Sequence, residues 1–298
     1  MNTSYRFWGI AFALAGTISF AFRPILIKLG YAAHPVSATT LLFLRMTLAL
    51  PFFLAMAWWM RDGAAIARRD WLGIVGLGFL GYYFASLLDF LGLQYVSAGV
   101  GRLILFLFPT LVLLLSFLFL KKTPNRREIA ALLLSYAGIA LVVSNQVDTS
   151  AQGRLFLFGV LLVFASALLY AVYLVAGSQV VRRVGSMRFT AYSMAVATLP
   201  AVVQFLALEQ PLAALDLPSK VWTYAIVLAT LSTVLPVFLQ AEALKRIGAN
   251  HFALIGAVGP VSVALTSALG LDEPFTWVQA LGGALVIFGV MLVTLKRS

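Results

Sequence analysis

The chain has 298 residues, 62% of them hydrophobic and 10% charged, with a formal net charge of +11. An ordinary soluble domain carries about 25% charged residues, and one of about 300 residues still exposes roughly a quarter of its unfolded-chain surface. So much apolar side chain cannot be hidden from water, and lipid must take the rest. Cysteine is absent, which excludes disulfide staples, thiolate nucleophiles, iron–sulfur clusters and Cys-ligated zinc.

A helix crossing about 30 Å of hydrocarbon needs roughly 20 mostly apolar residues. Runs of that kind predict ten spans, at Phe7 to Leu29, Ser37 to Met60, Trp71 to Leu93, Ser97 to Leu120, Glu128 to Val143, Leu155 to Ser178, Phe189 to Leu208, Val221 to Leu244, Ala249 to Leu271 and Phe275 to Leu295. The fold class is therefore an all-α integral membrane protein. The first span ends in Arg23 and Pro24 with no small-residue cleavage site, so it reads as a permanent helix rather than a signal peptide. The longest polar connection, Glu209 to Lys220, leaves no room for a soluble domain.

Lys and Arg concentrate in cytoplasmic loops. With the N-terminal tail inside, 15 of the 21 fall in six cytoplasmic segments, from Arg6 to Lys296 and Arg297. Lys28, Arg154 and Lys220 fall outside, and Arg23, Arg45 and Arg102 lie within spans. Both termini are thus expected in the cytoplasm. Dispersed in this way, the positive charges form no single solvated face for nucleic acid, so no nucleic-acid partner is expected and the cations face anionic lipid headgroups.

An internal repeat sets the architecture. At a constant offset, Trp71 matches Trp222, Ala98 matches Ala249, Leu103 and Ile104 match Leu254 and Ile255, Pro109 matches Pro260, and Gly138 matches Gly289. Shifting by one or two residues brings Gly9 onto Gly159 and Pro51 onto Pro200. Residues 1–150 and 151–298 therefore form two five-helix units, and because five is odd the second is inverted in the membrane. Inverted repeats permit inward-open and outward-open arrangements of similar energy, with the substrate site near the midplane between them.

Polar residues spaced i, i+3, i+4 show which helix faces avoid lipid. Span 1 offers Gly16, Phe20, Arg23 and Ile27, and span 6 offers Ser166, Tyr170, Tyr173 and Gly177 at matching positions. Span 3 gives Tyr82, Ser86 and Asp89, matched in span 8 by Thr233, Val237 and Gln240. These faces should line a central cavity, joined by Arg102 and Phe106 in span 4 and by Asn250 and His251 in span 9. The alternative for any one hydroxyl is an interhelical hydrogen bond, worth about 0.6 kcal/mol on average. Charges within spans cost about 2.5 to 3.5 kcal/mol each and are functional candidates by default. Three arginines against Asp89 leave a positive field suited to a carboxylate, which arginine grips through two parallel N–H bonds. Asp89 could equally form a structural pair with one of the arginines. Arg23, beside the helix-kinking Pro24, is the leading carboxylate ligand. His251 could carry a coupling proton or be a satisfied histidine at a helix start. Glu242, with Lys245 and Arg246 one turn on, reads as structural. Tyr82, Tyr83, Phe106, Tyr170 and Tyr173 lie deeper than an interfacial belt and could stack on a large substrate side chain.

No Walker A sequence, HExxH, G-x-S-x-G or GxGxxG strand-to-helix turn occurs, so neither cofactor nor metal is expected, and an ATP-driven pump is excluded. A membrane-embedded enzyme would rest on Asp89 or Glu242 alone, without the paired carboxylates that acid/base work usually needs, so a non-enzyme is expected. A passive channel remains a further alternative.

The segments GLQYVSAGVGRLILFLFPT (Gly92 to Thr110), ALKRIGANHFALIGAVGP (Ala243 to Pro260) and LDEPFTWVQALGGALVIFGVMLV (Leu271 to Val293) resemble the drug/metabolite transporter superfamily, and in particular its ten-helix EamA-type exporters. Within these the chain looks most like the YddG-type amino-acid exporters. The family's acidic motif is kept at Asp272 and Glu273, whereas the first half has Lys121 and Lys122 there, so the acid pair has no symmetric role. The resemblance implies a secondary carrier of the bacterial inner membrane that exports small metabolites, amino acids foremost or else drugs and other xenobiotics. It also implies spans 1, 3, 4, 6, 8 and 9 around the cavity, spans 2 and 7 as outer clamps, and a peripheral fifth helix in each half. There Ala131, Ser135 and Gly138, with Ala280 and Ala284, offer close-approach surfaces for a homodimer or for lipid.

Overall fold

The computed structural model describes residues 3–61, 65–120, 125–145, 150–256, 258–271 and 276–294. The described residues are helices and their connections, without a strand. The first apolar run folds as α1 (Thr3–Ala21) and α2 (Arg23–Ala33). The interruption at Phe22 follows from Pro24 in the first turn of α2, which has no N–H for the Phe20 carbonyl and whose ring crowds it. Polar caps start the next spans. Ser37 accepts from Thr40 N at the head of α3 (Ala38–Trp59), and Ser97 from Val100 N at the head of α6 (Ala98–Leu105). Between them run α4 (Arg68–Gly78), a π-helical segment (Phe79–Phe84) and α5 (Ala85–Gly92) without a break. After α6 the chain turns at Phe106 and Leu107 into α7 (Phe108–Leu120), and α8 (Arg126–Ser144) opens with a reciprocal capping box between Asn125 and Glu128.

The second half is again helical. The 34-residue α9 (Ala151–Val184) starts at the Ser150 cap and stops at Gly185, whose φ of 89° lies in the region where glycine alone is unstrained. There follow α10 (Ser186–Leu208), with Pro200 inside it as Pro51 is inside α3, and a short α11 (Pro211–Ala214) in the polar connection. Next come α12 (Ser219–Ala229), a second π-helical segment (Thr230–Val234), α13 (Leu235–Gly256), α14 (Val258–Gly270) and α15 (Trp277–Thr294). The two π segments begin at Phe79 and Thr230, the same offset that aligns Trp71 with Trp222.

Eight helices are long and apolar enough to cross a membrane, counted over the described residues; the last of them is Ser219–Ile247, and the apolar run Trp277–Leu292 is shorter. Where the sequence predicts a break between spans 8 and 9, the backbone stays helical to Gly256. No proline interrupts it, and Glu242 supports the turn through Lys245 at 4.0 Å and Arg246 at 3.2 Å. Arg246 also lies over the Tyr5 and Phe12 rings of α1, at 5.0 and 4.9 Å. Lys121, Lys122, Asp272 and Glu273 lie outside the described residues.

Packing joins the first half to the second at every level. α1 lies along α13, α5 along α9, α3 along α10 and α8 along α15. Phe43 stacks on Phe205 at 4.0 Å between α3 and α10, and at one end of that pair the Ser37 hydroxyl donates to Glu209 Oε1 at 2.5 Å. At the opposite end Arg183 of α9 donates from Nε to Asp70 of α4 at 2.8 Å. The small-residue stripe of α8 is consumed inside the chain. A Cβ on Gly138 would sit 2.5 Å from the Gly282 carbonyl of α15, and Ala131 and Ser135 are fully buried. That stripe is therefore closed to a second copy, while Ala284 stays exposed on the outer face of α15. Outward faces carry large apolar side chains such as Trp58, Leu133, Leu161 and Leu206, as contact with lipid requires.

Candidate functional site

A cavity of about 420 Å3 lies between the halves, within the range of about 300 to 1,000 Å3 usual for small-molecule sites. Its wall takes Thr17 and Phe20 from α1, Arg23 from α2, Tyr82, Ser86 and Asp89 from the first π segment and α5, and Arg102 and Phe106 from α6 and the turn after it. From the other half come Ser166 and Tyr170 of α9, Ser232 and Thr233 of the second π segment, and Gln240 and Phe252 of α13. A π segment widens the helix, leaves carbonyls off the usual ladder and turns side chains inward. The Thr233 hydroxyl uses one such carbonyl, donating to Leu228 O at 2.9 Å, and its oxygen accepts from Arg45 Nε at 3.1 Å. Serines of the opposite half reach these regions: Ser19 donates to Leu231 O within the second π segment, and Ser166 donates at 2.6 Å to the carbonyl of Ala85, the first residue of α5.

Three guanidinium groups face the cavity against Asp89, the one carboxylate among the described residues that line it. Arg23 is held by Asp89, with its terminal nitrogen 3.3 Å from Oδ2, and donates to Ser86 Oγ at 3.2 Å. Arg45 is 2% exposed and Arg102 8%, and Arg45 Nη1 and Arg102 Nε have no hydrogen-bond partner among the described residues. Arg23 Nε is likewise without one. The rings of Phe20 and Phe90 link the cations. Phe20 lies 4.5 Å from Arg102 and 5.8 Å from Arg23; Phe90 lies 5.8 Å from Arg23 and 5.6 Å from Arg45. Such contacts offset part of the cost of desolvating a guanidinium. The opposite wall is aromatic. Tyr173 donates to the Tyr82 hydroxyl at 3.1 Å, stacks on Tyr170 at 5.8 Å, and covers Gly81, where a Cβ would run into its ring. Phe108 meets Tyr170 edge-on at 5.3 Å.

Of the residues singled out from sequence, Phe20, Arg23, Tyr82, Ser86, Asp89, Arg102, Phe106, Tyr170, Thr233 and Gln240 all border this cavity. Tyr173 lies behind Tyr82 and reaches the cavity through that residue's hydroxyl. The side chain of His251 lies outside the described residues. Arg23, the leading carboxylate ligand by sequence, is already engaged by Asp89, while Arg45, one of the three arginines of the expected positive field, reaches the wall together with Met194, although the resemblance gives their spans 2 and 7 as outer clamps. Phe90 was unmarked: nothing in an apolar helix distinguishes a phenylalanine that carries two guanidinium contacts from one that fills the core.

The profile of the EamA-like transporter family matches the chain twice, over residues 7–144 and 157–295. The uncharacterized transporter YcbK of Bacillus subtilis is 29% identical, covering 94% of this chain and 90% of its own length. An uncharacterized transporter of Archaeoglobus fulgidus is 26% identical, covering 92% of each. A solved crystal structure with 17% identity superposes with a TM-score of 0.67 over 99% of this chain and 98% of the other, a likeness of fold. The chain, with its apolar spans, is a multi-pass membrane protein that belongs to the EamA-like transporter family.

Proposed function

We propose that this transporter is a secondary carrier of the bacterial inner membrane that exports small carboxylate-bearing metabolites, amino acids foremost, by alternating access to the central cavity. In this reading the chain makes ten spans with both termini in the cytoplasm, and residues 1–150 and 151–298 are inverted five-helix repeats. The double match to one family profile and the π segments at one common offset support the repeat. The observation that carries the functional reading is the cavity itself: it is bordered by both halves, and three guanidiniums face one carboxylate. Field and fork geometry of that kind suit a carboxylate held near the membrane midplane. The π segments are the natural hinges, since their looser ladders can return to α-helical turns at little cost as the halves rock. A second copy would pair through the outer face of α15, where Ala284 is exposed.

Counterflow in proteoliposomes against a panel of amino acids, organic acids, sugars and nucleobases, with and without an imposed pH gradient, tests this. Saturable exchange confined to carboxylate-bearing solutes is expected. Non-saturating flux would point to a channel, and chemical conversion of the solute to an enzyme. Tyr82→Ala should weaken bulky carboxylates more than small ones, because it removes a ring from the wall. Equal loss across the panel would mean that Tyr82 serves packing alone.

A further inference from the structure

We infer that the ligand of this cavity carries two carboxylates, as a dicarboxylate or an acidic amino acid does. The inference rests on the carrier reading above and narrows its substrate class. Asp89 is spent on Arg23, so the cavity keeps an excess of two positive charges, on Arg45 and Arg102. Both are more than nine-tenths buried, and each holds an unpartnered N–H among the described residues. Buried donors and charges left in this state are costly, and a bound anion is what satisfies them.

The two cations are also separated. Arg102 contacts Phe20 and Arg45 contacts Phe90, while Arg23 contacts both rings and is itself neutralised by Asp89. The Arg23–Asp89 pair thus shares one ring with each of two cationic positions on different helices, α3 and α6. One carboxylate answers one position and leaves the other uncompensated. A zwitterion with a single carboxylate adds an ammonium to a site that already has cations in excess and whose carboxylate is engaged. Two carboxylates joined by a short chain answer both, and the Tyr170 and Phe108 rings supply an apolar cover for that chain.

Thermal unfolding of the purified full-length protein, titrated with glutarate against butyrate and with glutamate against 4-aminobutyrate, tests the inference. Within each pair the ligands differ by one carboxylate. The two-carboxylate member should stabilise the wild type at a concentration lower by about tenfold or more, the scale of one charge-assisted contact. Arg45→Gln or Arg102→Gln should bring each pair to within about twofold. Wild-type protein that responds equally to both members, or better to butyrate or 4-aminobutyrate, overturns the inference without recourse to any variant. Counterflow of the same four solutes separates the two claims. Glutarate that binds but does not exchange would retain the ligand class and remove the carrier reading; one-carboxylate solutes that exchange at least as well as their partners would do the reverse.

Discussion

The two π segments begin at positions one common offset apart, yet their chemistry diverges. Where the first half has Gly81 and Tyr82, with Asp89 two turns on, the second has Ser232 and Thr233, with Gln240 two turns on. The first supplies an aromatic wall and the one acid, through the Tyr82–Tyr173 contact and the Asp89–Arg23 pair. The second supplies a hydroxyl that orients Arg45. In the carrier reading proposed above, two repeats thus keep a common hinge while taking different parts in recognition. On that reading the common π segments serve movement, and the residues that differ define what is held.

Substitutions that make the halves more alike test this division. Asp89→Asn approaches the amide of Gln240 and strips Arg23 of its counter-charge. Breaking one side of a buried pair costs about 3–5 kcal/mol, so a large fall in thermal stability is expected, with Arg23→Gln in the same chain recovering much of it. A pair worth less than about 1 kcal/mol in that double-mutant cycle would mean that Asp89 is solvated and not committed to Arg23. Thr233→Val removes the acceptor of Arg45 Nε, a contact to a charged group worth about 1.5–3 kcal/mol. Stability should fall accordingly, and carboxylate exchange should weaken as the guanidinium loses its orientation. An unaltered exchange rate would detach Thr233 from recognition.

Gly81→Ala puts a methyl group into the Tyr173 ring and should cost about 1–3 kcal/mol, whereas Ser232→Gly at the equivalent site in the other half should be milder. Equal costs at the two positions would deny the asymmetry of the walls. The smallest effects belong to single contacts between the halves: Ser19→Ala and Ser166→Ala each lose one interhelical hydrogen bond, about 0.6 kcal/mol, read as a small fall in thermal stability. A loss several times larger at either position would mean that the serine does more than bond across the helices.

Much of this arrangement was legible in the sequence, because period and solvent dictate it. Apolar runs marked the spans, two of them starting at Ser37 and Ser97 where the structure has helix caps, and the matched stripes from Phe20 to Arg23 and from Tyr82 to Asp89 pointed to the cavity. What stayed hidden depends on three-dimensional partnership. No spacing rule says that Arg23 rather than Arg45 or Arg102 takes Asp89, since the choice is made between helices. The π segments have no composition of their own, and their identity rests on carbonyls displaced by one residue. The small residues of α8 read as a surface because sequence does not say that Gly282 of the same chain fills it. The predicted break near Lys245 failed because charge marks a membrane boundary without ending a helix.

A cysteine-free chain makes the most direct test simple. Gln240→Cys puts one thiol on the cavity wall, to be challenged with a membrane-impermeant maleimide in right-side-out and inside-out vesicles. Labelling from both sides, blocked from each by saturating substrate, is the predicted result. A thiol that no reagent reaches from either side, or one that substrate never protects, would contradict a shared cavity opened in turn to the two faces of the membrane.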